Sequence, residues 1–259
     1  MKNNEPATFW QHLDVLRWGI LRSLIVGALF AVVAFCMKDW LFAVVLAPRT
    51  SDFITFQWLG VEPFSIHLMN TGLTEQFMTH MRVAIYAGLL CSAPYIIYEL
   101  FRFISPGLYQ NERRVGFWIV TSGYLMFMLG TLLNYLLVFP LTVRFLGTYQ
   151  VSPDVDNMLT LQSYTDTLIS MSLVMGVIFE LPVICAILGR MGILSSHLMS
   201  CYRRHAIIAI LVVAAIITPT TDVFTLIIVS LPIWLLYEFS ILLLKVLRSS
   251  SHKQKTRHI

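Results

Sequence analysis

The side chains that could carry a chemical function are the ionisable residues inside otherwise apolar sequence, and Glu180 is the clearest example. It lies in the apolar stretch 176–182, ten residues before Arg190. A carboxylate near the middle of a bilayer costs about 2.5–3.5 kcal/mol on insertion scales. We therefore expect a protonated Glu180 that provides a polar contact for a partner helix or a transported segment. A structural hydrogen bond inside the bundle, for example to backbone groups freed by Pro182, is the alternative.

Acids that border basic residues form a second group of candidates. Glu99 precedes Arg102 by three residues, Glu112 directly precedes Arg113, and Asp14 stands at the start of the first apolar segment. Acids in such positions are often solvated or paired locally. Their carboxylate oxygens also match the paired N–H donors of a guanidinium group. The pattern therefore makes these three acids candidates for binding a basic peptide.

The sequence shows no recognisable catalytic or metal centre. All seven histidines are predicted to lie in loops or at helix ends, so Ser122, which precedes a glycine, has no basic partner in the membrane. Phosphate-binding loops of the GxxxxGK[ST] type and HExxH zinc helices are absent from the sequence, and the four cysteines lack metal-ligand spacing. We predict a protein that is not an enzyme, with no disulfide, metal, cofactor or nucleic-acid partner.

The elements that must position these acids are membrane helices. Hydrophobic residues make up 57% of the chain and charged residues 12%, with a mean hydropathy of +0.74. This composition predicts an all-α, polytopic membrane helix bundle with about six transmembrane helices, forming a single domain over residues 1–259. The predicted spans are 18–37, 83–101, 116–139, 168–188, 206–218 and 223–244.

The last two spans are predicted to be short. Pro219 closes the fifth after 13 residues, and Glu238 interrupts the sixth. A crossing pair is favoured over a single re-entrant hairpin because basic residues flank the pair. Such short helices leave a packing edge for a single-span partner, with Ile207, Leu211 and Ala214 as the expected contacts.

Charge distribution predicts the orientation. With both termini in the cytoplasm, 14 of the 18 Lys and Arg residues lie inside, including those of the basic tail 248–259. This asymmetry follows the positive-inside rule. The outside connection 39–82 is rich in aromatic residues and is predicted to form an interfacial cap, with a short helix over 41–47.

Several motifs, in order along nearly the whole chain, resemble the TatC family, the multi-span core of the twin-arginine protein translocase. They lie at residues 12–17 (HLDVLR), 74–77 (TEQF), 92–99 (SAPYIIYE), 103–109 (FISPGLY), 112–114 (ERR), 135–140 (YLLVFP), 179–182 (FELP), 218–222 (TPTTD), 231–232 (LP) and 236–238 (LYE).

The resemblance implies a receptor in the cytoplasmic (inner) membrane that recognises the twin-arginine signal peptides of folded precursor proteins. It implies small single-span partners similar to TatA and TatB, an oligomeric complex, and export driven by the proton-motive force. Glu112 matches the glutamate of the family's first cytoplasmic loop, and Glu180 matches its intramembrane glutamate.

The chain departs from the family pattern near the expected peptide site. Val15 occupies the position of a glutamate in the N-terminal motif, with Asp14 one residue earlier, which is about 100° of helix rotation away. The family commonly has Gln at the position of Glu99, and Asn134 replaces a small apolar residue.

We therefore expect an arginine-binding surface built around Glu112 and Glu99, with Asp14 as a peripheral contributor and with Arg17 and Arg113 beside it. The alternative makes Glu99 only a partner of Arg102 and gives the second half of the site to Asp14.

A different class of function also fits an intramembrane acid: a small-solute or ion transporter that uses Glu180 as its coupling site. The absence of an inverted repeat and of a second intramembrane acid in the sequence weighs against this alternative.

Overall fold

The protein is built almost entirely from helices. The computed structural model describes residues 9–60, 62–104, 113–149, 158–218 and 222–255. The elements there are α1 (Phe9–Cys36), α2 (Lys38–Leu46), α3 (Ile54–Trp58), β1 (Leu68–Met69), α4 (Glu75–Ile104), α5 (Arg113–Leu133), α6 (Phe139–Thr148), β2 (Leu159–Thr160), α7 (Leu161–Ile178), α8 (Leu181–Arg190), α9 (Ser196–Cys201), α10 (Arg203–Ile217) and α11 (Val223–Lys255). A 3₁₀ turn, Ala47–Arg49, follows α2, and a π-helical turn, Asn134–Val138, joins α5 to α6.

Five segments of the described chain are long and apolar enough to cross a membrane: Leu13–Cys36, Glu75–Phe103, Phe117–Thr148, Leu161–Arg190 and Val223–Val246. Each overlaps a predicted span, which confirms the all-α membrane fold. The remaining predicted span, 206–218, corresponds to α10, which has 15 residues. At about 1.5 Å per residue this helix is roughly 22 Å long, shorter than a ~30 Å hydrocarbon core. Its predicted shortness is confirmed, while a sixth crossing stays a prediction.

The prediction that the last helix is also short is wrong. Helix α11 has 33 residues, and its apolar segment covers 24 of them. The apolar segment continues past Glu238, whose Oε2 accepts a hydrogen bond from the Arg203 guanidinium over 2.8 Å. A carboxylate with a charged donor at this distance is largely compensated. The sequence suggested that Glu238 interrupts the sixth span, because it does not show that Arg203 lies beside this acid.

The second span begins earlier than predicted. Helix α4 starts at Glu75 rather than near residue 83, which places His80 inside a helix and corrects its prediction as a loop residue. Glu75 organises this start: its Oε2 accepts hydrogen bonds from the backbone N–H groups of Thr71 (2.8 Å) and Gly72 (2.9 Å). A carboxylate that binds backbone donors at a helix start stabilises that start.

The aromatic segment 39–82 folds as a small layer on the ends of later helices. The rings of Phe53 and Phe56 pack edge to face with Tyr135 and Phe64, respectively. Strand β1 pairs in parallel with β2, in the register Leu68↔Leu159 and Met69↔Thr160. β1 lies in the segment 39–82, and β2 lies in the connection between α6 and α7, which the six-span order also places outside. The pairing therefore joins these two long connections. The helix predicted over 41–47 is confirmed as α2.

Contacts divide the chain into two compact units, residues 1–41 with 80–124 and residues 42–79 with 125–259. Helices α2, α4 and α5 contribute residues to both. The expectation of one membrane domain stays a prediction. In the first unit, α1 and α4 approach closely: a Cβ atom at Gly88 would lie 2.5 Å from the backbone N of Ala31. Only glycine permits this approach.

In the second unit, α5 and α7 pack backbone to backbone around two glycines. A Cβ at Gly130 would lie 2.7 Å from the carbonyl oxygen of Met175, and a Cβ at Gly176 would lie 2.7 Å from the Phe127 ring. One helical turn further along, the fully buried Asn134 donates from Nδ2 to Ser172 Oγ over 2.8 Å. Small residues and a polar pair are typical of helix packing in membranes.

The packing of Gly130 gives a direct test. We expect Gly130→Ala to destabilise the protein by about 1–3 kcal/mol, because the added methyl group meets a backbone oxygen that cannot rotate away. Gly27→Ala is the matched control, since its Cβ would lie 3.4 Å from Ser92 Oγ and alanine favours a helix. Thermal unfolding in detergent measures both, and equal melting temperatures would contradict this account of the α5–α7 contact.

Candidate functional site

Glu99 is the centre of a polar cluster between α1 and α4. Its side chain is only 7% exposed. One oxygen, Oε1, accepts a hydrogen bond from the Tyr95 hydroxyl over 3.0 Å and lies 3.8 Å from Arg22 Nη1 and 3.6 Å from Arg102 Nη1. The second oxygen, Oε2, would lie 3.5 Å from a Cβ placed on Gly19. The carboxylate is thus buried against α1, and three polar groups surround its Oε1.

Helix geometry explains how these groups meet. Tyr95 and Arg102 lie four residues before and three residues after Glu99, so all three share one face of α4. Gly19 presents no side chain on α1, which lets the carboxylate approach that helix. Arg22 lies on α1 three residues after Gly19 and approaches the same Oε1 from that helix. Each arginine is about half exposed, at 49% for Arg22 and 51% for Arg102.

Asp14 shares a surface cavity with this cluster. The cavity has a volume of about 290 Å³, and its lining residues are Asp14, Val15, Trp18, Arg22, Glu99 and Arg102. Asp14 itself is exposed. Two acids and two arginines therefore border one opening, a composition that suits the exchange of guanidinium groups between carboxylates.

An apolar groove begins at the same carboxylate. Its volume is about 530 Å³, and it is lined almost entirely by aliphatic and small residues of α1 and α4, with Glu99 and Phe103 among the lining residues at one end and Ala31 and Ile85 at the other. A ligand with a basic head and an apolar continuation matches a cavity with acids that adjoins an apolar groove.

The structure does not place the other predicted peptide-binding residues at the cavity lined by Glu99 and Asp14. Arg17 is exposed and does not line the cavity. Glu112 lies outside the described residues, and Arg113 is described only as the first residue of α5. The structure thus brings Glu99 and Asp14 together and leaves the role of Glu112 as a prediction.

Sequence reasoning missed Arg22 and Tyr95. The i,i+4 spacing of Tyr95 and Glu99 was a readable signal. Arg22 lies on another helix, and its approach depends on the crossing of α1 and α4, which no local pattern encodes.

Glu180 lies at the break between α7 and α8. Phe179 and Glu180 interrupt the helix before Pro182, and Glu180 is the N-cap residue of α8, where its side chain makes no capping hydrogen bond. The structural alternative, in which this side chain binds freed backbone groups, is therefore not seen. Its buried Oε1 has no hydrogen-bond partner among the described residues. Burying an acceptor without a partner is costly, which favours a functional role.

The predicted partner-helix contacts separate into two kinds. Ile207 and Leu211 are 44% and 39% exposed and line a cavity of about 300 Å³ between α10 and α11. Ala214 is fully buried within the chain, so it offers no surface to a partner in this conformation.

Comparison with known proteins assigns the family. Residues 11–232 match the family model described as Sec-independent protein translocase protein (TatC). The TatC protein of Deinococcus radiodurans is 32% identical over 252 residues, which cover 97% of this chain and 90% of that protein. The TatC protein of Desulforapulum autotrophicum is 32% identical, over 93% of this chain and 85% of that protein.

Solved structures agree with the sequence comparison. A crystal structure of the twin-arginine translocase receptor TatC superposes with a TM-score of 0.75 at 28% identity, covering 91% of this chain and 98% of that one. A second structure of that receptor gives a TM-score of 0.76 at 27% identity. With its family model, its relatives and its fold in agreement, this chain belongs to the TatC family of Sec-independent protein translocase proteins.

Proposed function

We propose that the chain is the signal-peptide receptor of a twin-arginine translocase, acting in transport rather than catalysis. The observation that carries the proposal is the buried Glu99 carboxylate, which shares a cavity with Asp14 and adjoins an apolar groove. A twin-arginine signal peptide has the matching order of two guanidinium groups followed by apolar residues. Family membership and the fold support the same function.

The proposed partners follow from this role. The receptor binds the signal peptides of folded precursors and works in an oligomeric complex with small single-span subunits similar to TatA and TatB. The exposed Ile207 and Leu211 offer one of these subunits an edge. Export uses the proton-motive force.

The proposed topology has six spans in the cytoplasmic (inner) membrane, with both termini in the cytoplasm and α10 as the fifth span. The basic residues support this orientation because 14 of 18 then lie inside. The pairing of β1 with β2 supports it as well, since it joins the two long connections on one side. A small-solute transporter that uses Glu180 is not favoured, because the chain and its relatives share a translocase fold.

We expect Glu99→Ala and Glu112→Ala each to weaken the binding of a twin-arginine peptide roughly tenfold. A charge-assisted hydrogen bond contributes about 1.5–3 kcal/mol, and 1.4 kcal/mol is a factor of ten in affinity. Titration of a labelled peptide into the purified protein measures the change, with Glu62→Ala, an exposed acid of the segment 39–82, as the control. Unchanged binding in Glu99→Gln with a large loss in Asp14→Asn would instead give the second half of the site to the N-terminal helix.

Topology is tested by labelling single cysteines in a background that lacks the four native ones. We expect Asp52→Cys to react with an impermeant maleimide only from outside the cell and Ser251→Cys only from the cytoplasm. The reason is the placement of Asp52 in the cap and of Ser251 in the basic tail. Reaction of both from the same side would exclude the six-span arrangement.

For Glu180 we expect the glutamine variant to retain more export than the alanine variant. An amide keeps the shape and the neutral hydrogen-bonding capacity of a protonated acid, whereas alanine leaves a polar cavity. Export of a twin-arginine reporter measures the difference, with normal membrane insertion as the control. Equal loss in both variants would show that the ionised carboxylate is needed.

A further inference from the structure

The short helix α3 has one buried face and one exposed apolar face. Phe56 and the N-cap residue Phe53 are buried. Ile54 and Trp58 lie four residues apart, and therefore on one side of the helix, and both are exposed, as is Leu59 directly after them. The Trp58 side chain is 87% exposed. A cluster of exposed apolar side chains that includes an indole marks a surface for contact with lipid or with another protein.

The polar groups of α3 form hydrogen bonds within the chain. Thr55 Oγ1 donates to the carbonyl oxygen of Leu136, and Gln57 Nε2 donates to the carbonyl oxygen of Asp52 over 2.8 Å. The helix itself, ITFQW, contains no charged residue. The amide nitrogen of the residue next to Trp58 is thus bonded to the chain, which leaves the exposed face of α3 mainly apolar.

Aromatic contacts fix the direction in which this face points. The ring of Phe56 packs at 4.8 Å between centroids against Phe64, and the ring of Phe53 packs at 5.4 Å against Tyr135. Together with the bond from Thr55, these contacts hold α3 against the π-helical turn Asn134–Val138. The exposed face cannot turn inward without breaking them.

The depth of α3 follows from the helices behind it. The Asn134–Ser172 hydrogen bond sets these two residues level, and α5 and α7 run in opposite directions. Arg190, which ends α8 on the side proposed to be cytoplasmic, is at most about 27 Å from Ser172 along α7 and α8, at about 1.5 Å per residue. Leu136 lies about 3 Å further from Arg190 than Asn134 does. Because the hydrocarbon core is ~30 Å thick, α3 lies at its opposite boundary.

We propose that the exposed face of α3, formed by Ile54, Trp58 and Leu59, is a lipid anchor that inserts into the outer leaflet at the boundary between acyl chains and headgroups. Tryptophan is enriched at this boundary, because its ring is apolar and its N–H needs a polar partner. The occupant of the face is lipid rather than a second copy of the chain, since the depth of α3 brings it to the acyl chains. The inference goes beyond the receptor function and uses the proposed topology only to name the leaflet.

The test places a nitroxide label on single cysteines, Trp58→Cys and Asp52→Cys, in the background that lacks the four native cysteines. The full-length protein is reconstituted in vesicles of phosphatidylcholine and phosphatidylglycerol, and collisions of the label with oxygen and with a water-soluble nickel chelate are measured. We expect the chelate to collide with the label at 58 roughly fivefold less often than with the exposed position 52, because polar complexes are excluded from hydrocarbon. Oxygen, which concentrates in hydrocarbon, should show the opposite order. Ile54→Cys, on the same face, should behave like Trp58→Cys.

Nanodiscs that each hold one copy of the purified protein separate lipid from protein as the occupant. Protection of position 58 from the chelate that persists in these discs supports the inference. Protection that is lost there would identify a contact between copies and overturn it, as would equal collision with the chelate at 52 and 58 in vesicles. Neither measurement requires peptide binding, so either result leaves the receptor function intact.

Discussion

Lipid offers no hydrogen-bond partners, so acids within or beside apolar helices depend on partners from the chain itself. The described residues meet this requirement in several ways. Glu75 accepts backbone N–H groups, Glu238 accepts from Arg203, and Glu99 collects a hydroxyl and two guanidinium groups. Glu180 differs, because its buried oxygen has no hydrogen-bond partner in the described part of the chain.

The lengths of their polar contacts distinguish the acids with a structural role from those proposed to have a functional one. The short hydrogen bonds to Glu75 stabilise the start of α4, and the short hydrogen bond to Glu238 stabilises the α10–α11 contact. The arginine contacts of Glu99 are longer, at 3.8 Å to Arg22 and 3.6 Å to Arg102. Among these four acids, Glu99 thus has the longest contacts to a cation, and Glu180 has a buried oxygen without a hydrogen-bond partner among the described residues.

The sequence predicted what depends on composition and local spacing. Hydropathy located the helices, and the motifs pointed to the region that holds Glu99 and Asp14. The sequence placed Glu180 near the middle of one continuous span, 168–188, whereas the structure divides that span into α7 and α8 at Phe179 and Glu180. The errors concern pairs of helices. Glu238 on α11 is paired with Arg203 of α10, and the groups around Glu99 include Arg22 on α1. Contacts between residues of different helices depend on how the helices cross, and the crossing geometry cannot be read from a single sequence.

The pairing of β1 with β2 has a consequence for biosynthesis. Leu68 and Leu159 lie in neighbouring strands, but helices α4, α5 and α6 separate them along the chain. The Glu75 side chain also accepts a hydrogen bond, over 3.1 Å, from the backbone N–H of Gln162, a residue that is synthesised after α6. During synthesis, the first long connection therefore cannot acquire its final partners until α5 and α6 have emerged from the ribosome. Contacts between such distant parts of a chain form slowly, so assembly of this layer is a late step, and the aromatic segment remains incompletely packed until it occurs.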